Sequence, residues 1–531
     1  MFGVEIRARR ARGVLASLAI GAVIASMTGA SASASTVDER GSAGPVVNTT
    51  DGAAQGTTTG TVDAFLGLPY AAPPVGALRW QPPQPETSWH GVRDATQFAA
   101  HCPQLASPFG MASTSEDCLY LNVYTPANLH QGAKRPVMFW IHGGALVTGE
   151  SNDYDPTQLV EDGAIVVTIN YRLGALGFLA HPALGGANGA SGDYGLMDQQ
   201  AALRWVQRNI GRFNGDARNV TIFGESAGGL SVLSQLASPA AHGLFDRAIV
   251  ESGAYALNTT TLATAEAAGE GFATKVGCTD QTASCLRDLP VQTILANENV
   301  SGYTPNVDGT VVVQSLKTAL GTGQFNRVPV MNGSNHDEWR LFVALSALEG
   351  APVTAANYLA MISSTLGVPQ SIAAAIASVY PLSAYPSPSE ALGAVGTDAI
   401  FACPALAVDK SVSQFGPIFG YEFNDENAPE LFLPPIGFSY GAAHASELQY
   451  LFHLTAAFPG TLTPDQQQLA DSMTAYWTAF ARNGLPSAAN QPAWSDFTAV
   501  DQQIQSLVAP TPQTESSFAT DHHCAFWSLA G

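Results

Sequence analysis

Ser226 is the residue of this chain best placed to act as a nucleophile, because it lies in the pentapeptide Gly-Glu-Ser-Ala-Gly at positions 224–228. An apolar, strand-like run at 220–223 precedes the pentapeptide, and a helix-like segment at 229–236 follows it. A sharp strand-to-helix turn holds a serine in a strained backbone conformation and exposes its hydroxyl above the sheet. A chance pentapeptide would not account for this strand and helix. The pattern therefore predicts a serine hydrolase.

A second apolar run, 137–141, opens directly into the sequence His-Gly-Gly-Ala at 142–145. Gly143 and Gly144 can turn their N–H groups toward a substrate without a side chain in the way, and the N–H group of Ala227 would add a third donor. Each donor of such an oxyanion hole is worth about 2.7–4 kcal/mol of transition-state stabilisation. An ordinary tight turn is the alternative, but the position upstream of the pentapeptide favours the oxyanion hole.

The general base and its acid partner are less well defined by the residues alone. In the strand–turn–helix arrangement the histidine follows both partners in the chain, which leaves four candidates. These are His444, His453, His522 and His523.

Two neighbouring carboxylates, Asp337 and Glu338, follow the apolar run 328–331 and compete for the role of the acid. The acid of such a triad orients the imidazole and stabilises the imidazolium. Their positions in the chain do not choose between them.

Longer motifs make the chain resemble the type-B carboxylesterases, the cholinesterase-like and para-nitrobenzyl esterase-like branch of the α/β-hydrolases. The motifs are FLGLPYA at 65–71, PPVG at 73–76, LRW at 78–80, WHGVRDA at 89–95, EDCLYLNVYTP at 116–126, NYR at 170–172 and DQ at 198–199. They run in family order from about residue 60, and several motifs in one order are far more specific than one pentapeptide.

The resemblance implies an α/β-hydrolase fold, with a mainly parallel central sheet covered by helices on both faces and helical cap insertions. It places this fold in a single domain over 59–531, with cap helices at 340–400. It assigns the base to His444, and it assigns the acid to Glu338 rather than Asp337. It also implies hydrolysis of a small-molecule carboxylic ester through an acyl-enzyme intermediate, without a cofactor or a metal ion.

Two residues next to this machinery are expected to form the active-site wall. Glu225, beside the nucleophile, has a family counterpart that interacts electrostatically with the histidine or the substrate. Trp339 follows the acid where the family usually has glycine, so the shape of the pocket there is expected to differ.

Six cysteines predict three disulfides in an exported protein, and the sequence alone allows 15 pairings. The family pattern implies one of them: Cys102 with Cys118, Cys278 with Cys285, and Cys403 with Cys524. Metal ligation by these cysteines is not expected, because no C-x-x-C or clustered His/Cys spacing is present.

The N-terminus has the pattern of a signal peptide over 1–34, with arginines before an apolar run at 14–27 and small residues at 30–34. The apolar run is shorter than the roughly 20 residues of a membrane span, and nothing later was expected to be long and apolar enough for one. We therefore expect secretion to an extracellular or periplasmic location, without stable membrane insertion and by an export route that the sequence leaves open. Residues 35–58, rich in Ser, Thr, Gly and Ala, are expected to form a flexible leader.

The net charge of −21 predicts a soluble protein that repels nucleic acid and anionic membranes. It does not define the oligomeric state. Apolar runs alternate with helix-like segments along the whole chain, which favours a covered parallel sheet. A late amphipathic helix is expected over 464–482, closed by Asn483 and Gly484.

Two other functions fit parts of the pattern. A lipase acting on longer-chain triglycerides would share the whole machinery. A non-catalytic cholinesterase-like binding protein would lack the nucleophile, whereas Ser226, His444 and Glu338 are all present. Choline esters are expected to be poor substrates, because the first disulfide loop contains Phe109 but no Trp or Tyr for a quaternary ammonium.

Overall fold

The computed structural model describes residues 44–529, apart from 128, 131, 187, 300–301, 456–457 and 459. The expected signal peptide and residues 35–43 of the expected leader lie outside the described residues.

The strands of the described chain are numbered in order. They are β1 Val46–Asn48, β2 Ala53–Gln55, β3 Thr57–Thr59, β4 Val62–Pro69, β5 Val92–Asp94, β6 Tyr120–Pro126, β7 Arg135–Ile141, β8 Tyr154–Asp155, β9 Ile165–Ile169, β10 Gly215–Glu225, β11 Arg247–Glu251, β12 Thr260–Thr261, β13 Asn306–Val307, β14 Val330–Asn335, β15 Ile418–Phe423, β16 His453–Leu454, β17 Ile504–Leu507 and β18 Gln513–Glu515.

The α-helices are numbered in the same way. They are α1 Thr157–Glu161, α2 Gly174–Phe178, α3 Tyr194–Asn209, α4 Ala227–Ala237, α5 Leu262–Lys275, α6 Ala283–Arg287, α7 Val291–Leu295, α8 Leu316–Thr322, α9 Arg340–Leu348, α10 Tyr358–Leu366, α11 Gln370–Val379, α12 Pro388–Gly396, α13 Cys403–Val412, α14 Pro464–Asn483, α15 Phe518–Asp521 and α16 Cys524–Trp527.

Eleven of the strands form one sheet in the order β18-β17-β15-β14-β11-β10-β7-β9-β6-β4-β3. The strands from β17 to β9 in this order pair in parallel, and the strands at both ends pair antiparallel. The carboxyl ends of parallel strands meet at one edge of a sheet. The loops after β7, β10 and β14 therefore lie at the same edge of the sheet, and the expected α/β fold is confirmed.

The central strands are almost continuous apolar runs because both faces of the sheet are covered. Alternate side chains of β7 enter different cores. Phe139 and Ile141 pack with residues of α3 and α4 on one face, and Met138 and Trp140 pack with residues of α14 on the other face. The sheet is thus the middle of three layers and is fixed from both sides.

The prediction of a flexible leader over 35–58 is wrong for residues 44–58, the part of it that the structure describes. β1 and β2 join β5 in a separate three-stranded sheet, and β3 pairs with β4 at the edge of the main sheet. Small and polar side chains do not prevent a segment from donating and accepting the backbone hydrogen bonds of a sheet. The folded unit therefore begins before residue 59.

The expectation that no later segment is long and apolar enough to cross a membrane was also wrong. Within the described chain, Pro388–Val412 is long and apolar enough to cross a membrane, with a mean hydropathy of 1.7. A bent pair of helices at 358–384 is long and apolar enough only if it is counted as one span. About 72% of the apolar window in Pro388–Val412 is buried inside the protein. Packing against other elements therefore accounts for the apolar composition of this stretch, which consists of α12, a π-helical turn at Thr397–Ala402 and α13.

The late helix α14 lies where the sequence predicts it. The Thr463 side chain and the Gln466 side chain form a capping box at its start, and Gly484 closes it with a positive φ of 81°. These local signals define both ends without help from tertiary contacts.

The three disulfides implied by the family pattern are present in the structure. They join Cys102 to Cys118, Cys278 to Cys285, and Cys403 to Cys524.

Candidate active site

Ser226 lies in the turn between β10 and α4, with φ 55° and ψ −119°. This region is unfavourable for a residue with a side chain by about 1–3 kcal/mol, so the surrounding structure must hold the turn. The N–H group of Ser226 donates to the carbonyl of Glu251 on the neighbouring strand at 2.8 Å. A Cβ atom on Gly228 would lie 1.9 Å from the carbonyl oxygen of Ile141, which explains why a small residue is needed after the serine.

The two glycines after β7 lie directly beside this turn. A Cβ atom on Gly143 would lie 3.1 Å from the Cβ atom of Ser226 and 2.7 Å from Oε2 of Glu225. Gly144 has φ 96°, a conformation that favours glycine. The N–H groups of Gly143, Gly144 and Ala227 donate no hydrogen bond to any described residue. The structure thus brings the three predicted donors to the same turn as the serine and leaves them free for a ligand.

His444 contacts Glu338, which extends from the loop after β14. The Nδ1 atom of His444 lies 2.5 Å from Oε2 of Glu338. Oε1 of Glu338 accepts a hydrogen bond from the N–H group of Asn335 at 2.8 Å. Glu338 is fully buried and His444 is 6% exposed, so this pair lies out of water.

Asp337, the other candidate for the acid, does not reach the imidazole of His444. Its Oδ1 atom pairs with Arg340 at 2.8 Å, and its Oδ2 atom accepts from the N–H group of Ala442 at 3.0 Å. Asp337 therefore joins the loop that carries the histidine to the start of α9.

Glu225 lies on the opposite side of the imidazole, with Oε1 3.1 Å from Nε2 of His444. Burial raises the pKa of Glu225 well above its ordinary value, although the imidazole acts against this shift. Burial alone would lower the pKa of His444, but the charges of Glu225 and Glu338 outweigh it and raise this pKa to about 9. Glu225, expected in the active-site wall, thus lies next to the imidazole of His444.

Two further buried glutamates, Glu447 and Glu251, lie close to Glu225 and His444. The sequence motifs did not identify them. Glu447 accepts from the Nδ2 group of Asn335 at 2.5 Å, and Glu251 accepts from the indole of Trp477 at 2.9 Å. Burial and the charge of Glu338 raise the pKa of Glu447 to about 7, and burial and the charge of Glu447 raise the pKa of Glu251 to about 8. Glu251 stands at the end of an apolar run, and this position was a sequence signal that could have identified it as a buried glutamate.

Aromatic rings cover another side of the imidazole. The ring centres of Phe342 and Phe401 lie 5.2 Å and 5.0 Å from the centre of the His444 ring. Trp339 packs on Phe342 at 4.5 Å and fits against Gly396, where a Cβ atom would lie 2.1 Å from its Cγ atom. Trp339, expected in the wall, thus lies beside the two phenylalanines, which the sequence analysis did not identify.

A mainly parallel sheet with a strained serine turn, free N–H groups beside it and a buried histidine–glutamate pair is the arrangement of an α/β-hydrolase. Residues 43–527 match the model of the carboxylesterase family. The chain therefore belongs to the carboxylesterase family, and it is a carboxylic ester hydrolase.

Characterised relatives have esterase or hydrolase names. The chain is 36% identical to acylcarnitine hydrolase of Mus musculus, over 88% of each chain. It is 35% identical to para-nitrobenzyl esterase of Bacillus subtilis (strain 168), over 85% of this chain and 93% of the relative. It is 34% identical to fumonisin B1 esterase of Sphingopyxis macrogoltabida, over 85% of this chain and 84% of the relative.

Proposed function

We propose that this carboxylesterase cleaves esters through an acyl-enzyme intermediate on Ser226, with His444 as the general base and Glu338 as the acid that orients it. The observation that carries the proposal is the position of the imidazole. Its Nδ1 atom is 2.5 Å from Oε2 of Glu338, and its Nε2 atom is 3.1 Å from Oε1 of Glu225, the residue directly before Ser226.

In the first half of the reaction, the hydroxyl oxygen of Ser226 attacks the ester carbonyl and its proton passes to Nε2 of His444. The negative charge on the carbonyl oxygen is stabilised by the free N–H groups of Gly143, Gly144 and Ala227. His444 then gives the proton to the departing alcohol, and the acyl group stays on the serine.

In the second half, a water molecule replaces the alcohol. His444 takes a proton from this water, the hydroxide attacks the acyl carbonyl, and the same three N–H groups stabilise the second oxyanion. The carboxylic acid leaves as the proton returns to Ser226. Glu338 accepts the hydrogen bond from Nδ1 and stabilises the imidazolium each time it forms.

The substrates we propose are small, uncharged carboxylic esters, and the location we propose is outside the cytoplasm. Three disulfides are compatible with an extracellular protein. Phe342 and Phe401 next to the base favour an apolar acyl or alcohol group. Hydrolysis of tributyrin compared with a triolein emulsion separates this proposal from a lipase.

A fluorophosphonate probe tests the nucleophile, because only an activated serine attacks phosphorus readily. We expect one adduct per chain, at Ser226, together with loss of hydrolysis of para-nitrophenyl butyrate. Ser226→Ala is expected to lose both the labelling and the activity while its thermal melting stays near that of the wild type. Labelling at another serine, or normal turnover by Ser226→Ala, would contradict the mechanism.

A further inference from the structure

A second cluster of histidines and carboxylates lies behind the loop that carries Glu338. One nitrogen or oxygen atom from each of His336, Glu422 and His522 lies within 4.8 Å of the others. His336 directly follows β14, Glu422 lies on β15, and His522 lies between α15 and α16. We propose that this cluster binds one divalent transition-metal ion, such as Zn²⁺.

His522 has the surroundings of a metal-binding histidine. Its Nδ1 atom lies 2.7 Å from Oδ1 of Asp398, and its Nε2 atom lies 2.5 Å from Oε1 of Glu422. A histidine that binds a metal usually donates its other N–H group to a carboxylate, which fixes the tautomer. Asp398 is itself held by the hydroxyl of Tyr380 at 2.6 Å, so this supporting contact is rigid.

His336 supplies the third ligand, although its Nδ1 atom makes no well-aligned hydrogen bond. Its Nδ1 atom lies 3.3 Å from Oδ1 of Asp337, and its ring centre lies 5.5 Å from that of His522. Two imidazoles and one carboxylate form a donor set that suits Zn²⁺ and other first-row metal ions. His336 is about one-third exposed, so an ion can enter from solvent and keep water on its remaining positions.

The charges of the cluster favour a divalent ion. Glu422 and Asp398 are 1% and 3% exposed, and neither pairs with an arginine or lysine in the described part of the chain. Two buried negative charges require two positive charges nearby. A divalent ion held by both imidazoles and Glu422 would supply two positive charges at this point, next to the contact between Asp398 and the Nδ1 atom of His523 at 3.3 Å.

Only a small adjustment separates the present geometry from coordination. Two ligand atoms at about 2.0–2.1 Å from a tetrahedral metal ion lie roughly 3.3 Å from each other. The contact between His522 and Glu422 must therefore open by less than about 1 Å, and the wider separations, up to 4.8 Å, must close by at most about 1.5 Å. Rotation of the Glu422 carboxylate and of the His336 ring can provide these shifts. The bound ion would join β14, β15 and the C-terminal segment, and it would stabilise the loop two residues before Glu338 without entering the ester chemistry.

The test uses the untagged protein after treatment with a chelator. We would measure Zn²⁺ binding by calorimetry, Co²⁺ binding by visible absorption, stoichiometry by native mass spectrometry, and melting temperature with and without Zn²⁺. One equivalent per chain and a higher melting temperature are expected. His336→Asn should bind at least ten-fold more weakly, because it removes a ligand but keeps the contacts among Asp398, His522 and Glu422.

Two further variants complete the experiment. Asp398→Asn should weaken binding by about 10–100-fold, the usual effect of removing the carboxylate behind a ligating histidine. His90→Asn, which removes an exposed histidine elsewhere on the surface, should leave binding unchanged. The absence of saturable binding by the wild type would show that the cluster binds no metal ion, and equal binding by His336→Asn would show that the ion binds elsewhere; either result would overturn the proposal.

Discussion

Glu338→Gln tests the orientation of the base most directly, because the surroundings of Glu338 determine how a glutamine would sit. Its Oε1 atom accepts from the N–H group of Asn335 at 2.8 Å, so the carbonyl oxygen of the amide would occupy that position. The NH₂ group would then face Nδ1 of His444. It can donate only to an unprotonated Nδ1 atom, which places the imidazole proton on Nε2. An Nε2–H group cannot accept the proton of Ser226.

The opposite orientation of the glutamine is also unfavourable. It would bring the NH₂ group against the N–H group of Asn335 and leave buried donors unpaired, at a cost of about 1–3 kcal/mol. Either orientation also removes the negative charge that stabilises the imidazolium. By analogy with the acid of the serine protease triad, we expect kcat to fall by about 10⁴-fold, which corresponds to roughly 5.4 kcal/mol of activation free energy.

The assay is hydrolysis of para-nitrophenyl butyrate by purified enzyme, with KM and thermal melting measured in parallel. KM should change little, because Glu338 acts on the transition state. Asp337→Asn is the matched control, because it removes the same charge from the adjacent residue. It should lower the melting temperature, because Arg340 loses its partner, while kcat stays close to that of the wild type. A loss of less than ten-fold in Glu338→Gln, or a larger loss in Asp337→Asn, would refute the assignment of the acid.

Four other predictions follow from the geometry of the site. Activity requires neutral His444, and because the pKa of His444 is raised to about 9, kcat/KM should rise with pH toward that value. Glu225→Gln should shift this rise in kcat/KM to lower pH, because the charge of Glu225 helps to raise the pKa. A pH profile that does not move would contradict the role of Glu225. Gly143→Ala should lower kcat by at least 10²-fold, because the added methyl group would meet Glu225 and Ser226 where the oxyanion must bind. Alkylation of the folded protein followed by mass analysis should find no free thiol. Acetylthiocholine should not be preferred over a neutral thioester at high salt, because Phe109 of the first disulfide loop packs on a neighbouring aromatic ring; a preference that survives salt would reveal a cation site elsewhere.

The parts of the site that follow from local sequence were predictable. The turn around Ser226 and the glycines before it depend on short motifs whose crowding and backbone conformation follow from the residues themselves. The choice of His444 and Glu338 required the family resemblance, since order in the chain left four histidines and two carboxylates. The ends of α14 were predictable for a similar reason, because its capping residues are adjacent to it in sequence.

The features that were missed depend on contacts between distant residues. Phe401 and Glu251 reach the imidazole region from elements far from His444 in the chain. Phe401 has no local motif, and the only local signal of Glu251 is its position at the end of an apolar run. Order in the chain makes His522 a candidate base, whereas in the structure it lies between Asp398, more than a hundred residues earlier, and Glu422. Pairing of β1 to β3 likewise depends on partner strands and not on the composition of the segment.

Glu225 affects the proposed base, because its Oε1 atom lies 3.1 Å from Nε2 of His444 without a well-aligned hydrogen bond. Burial raises the pKa of Glu225, and the nearby carboxylates raise the pKa of His444, so the two groups compete for one proton. Glu225 and His444 are only 3% and 6% exposed, so a change in the charge of one acts on the other through a low-dielectric medium. In the proposed mechanism Nε2 must be unprotonated to accept the proton of Ser226, and the negative charge of Glu225 opposes this. Removal of that charge in Glu225→Gln should therefore make the base available at lower pH.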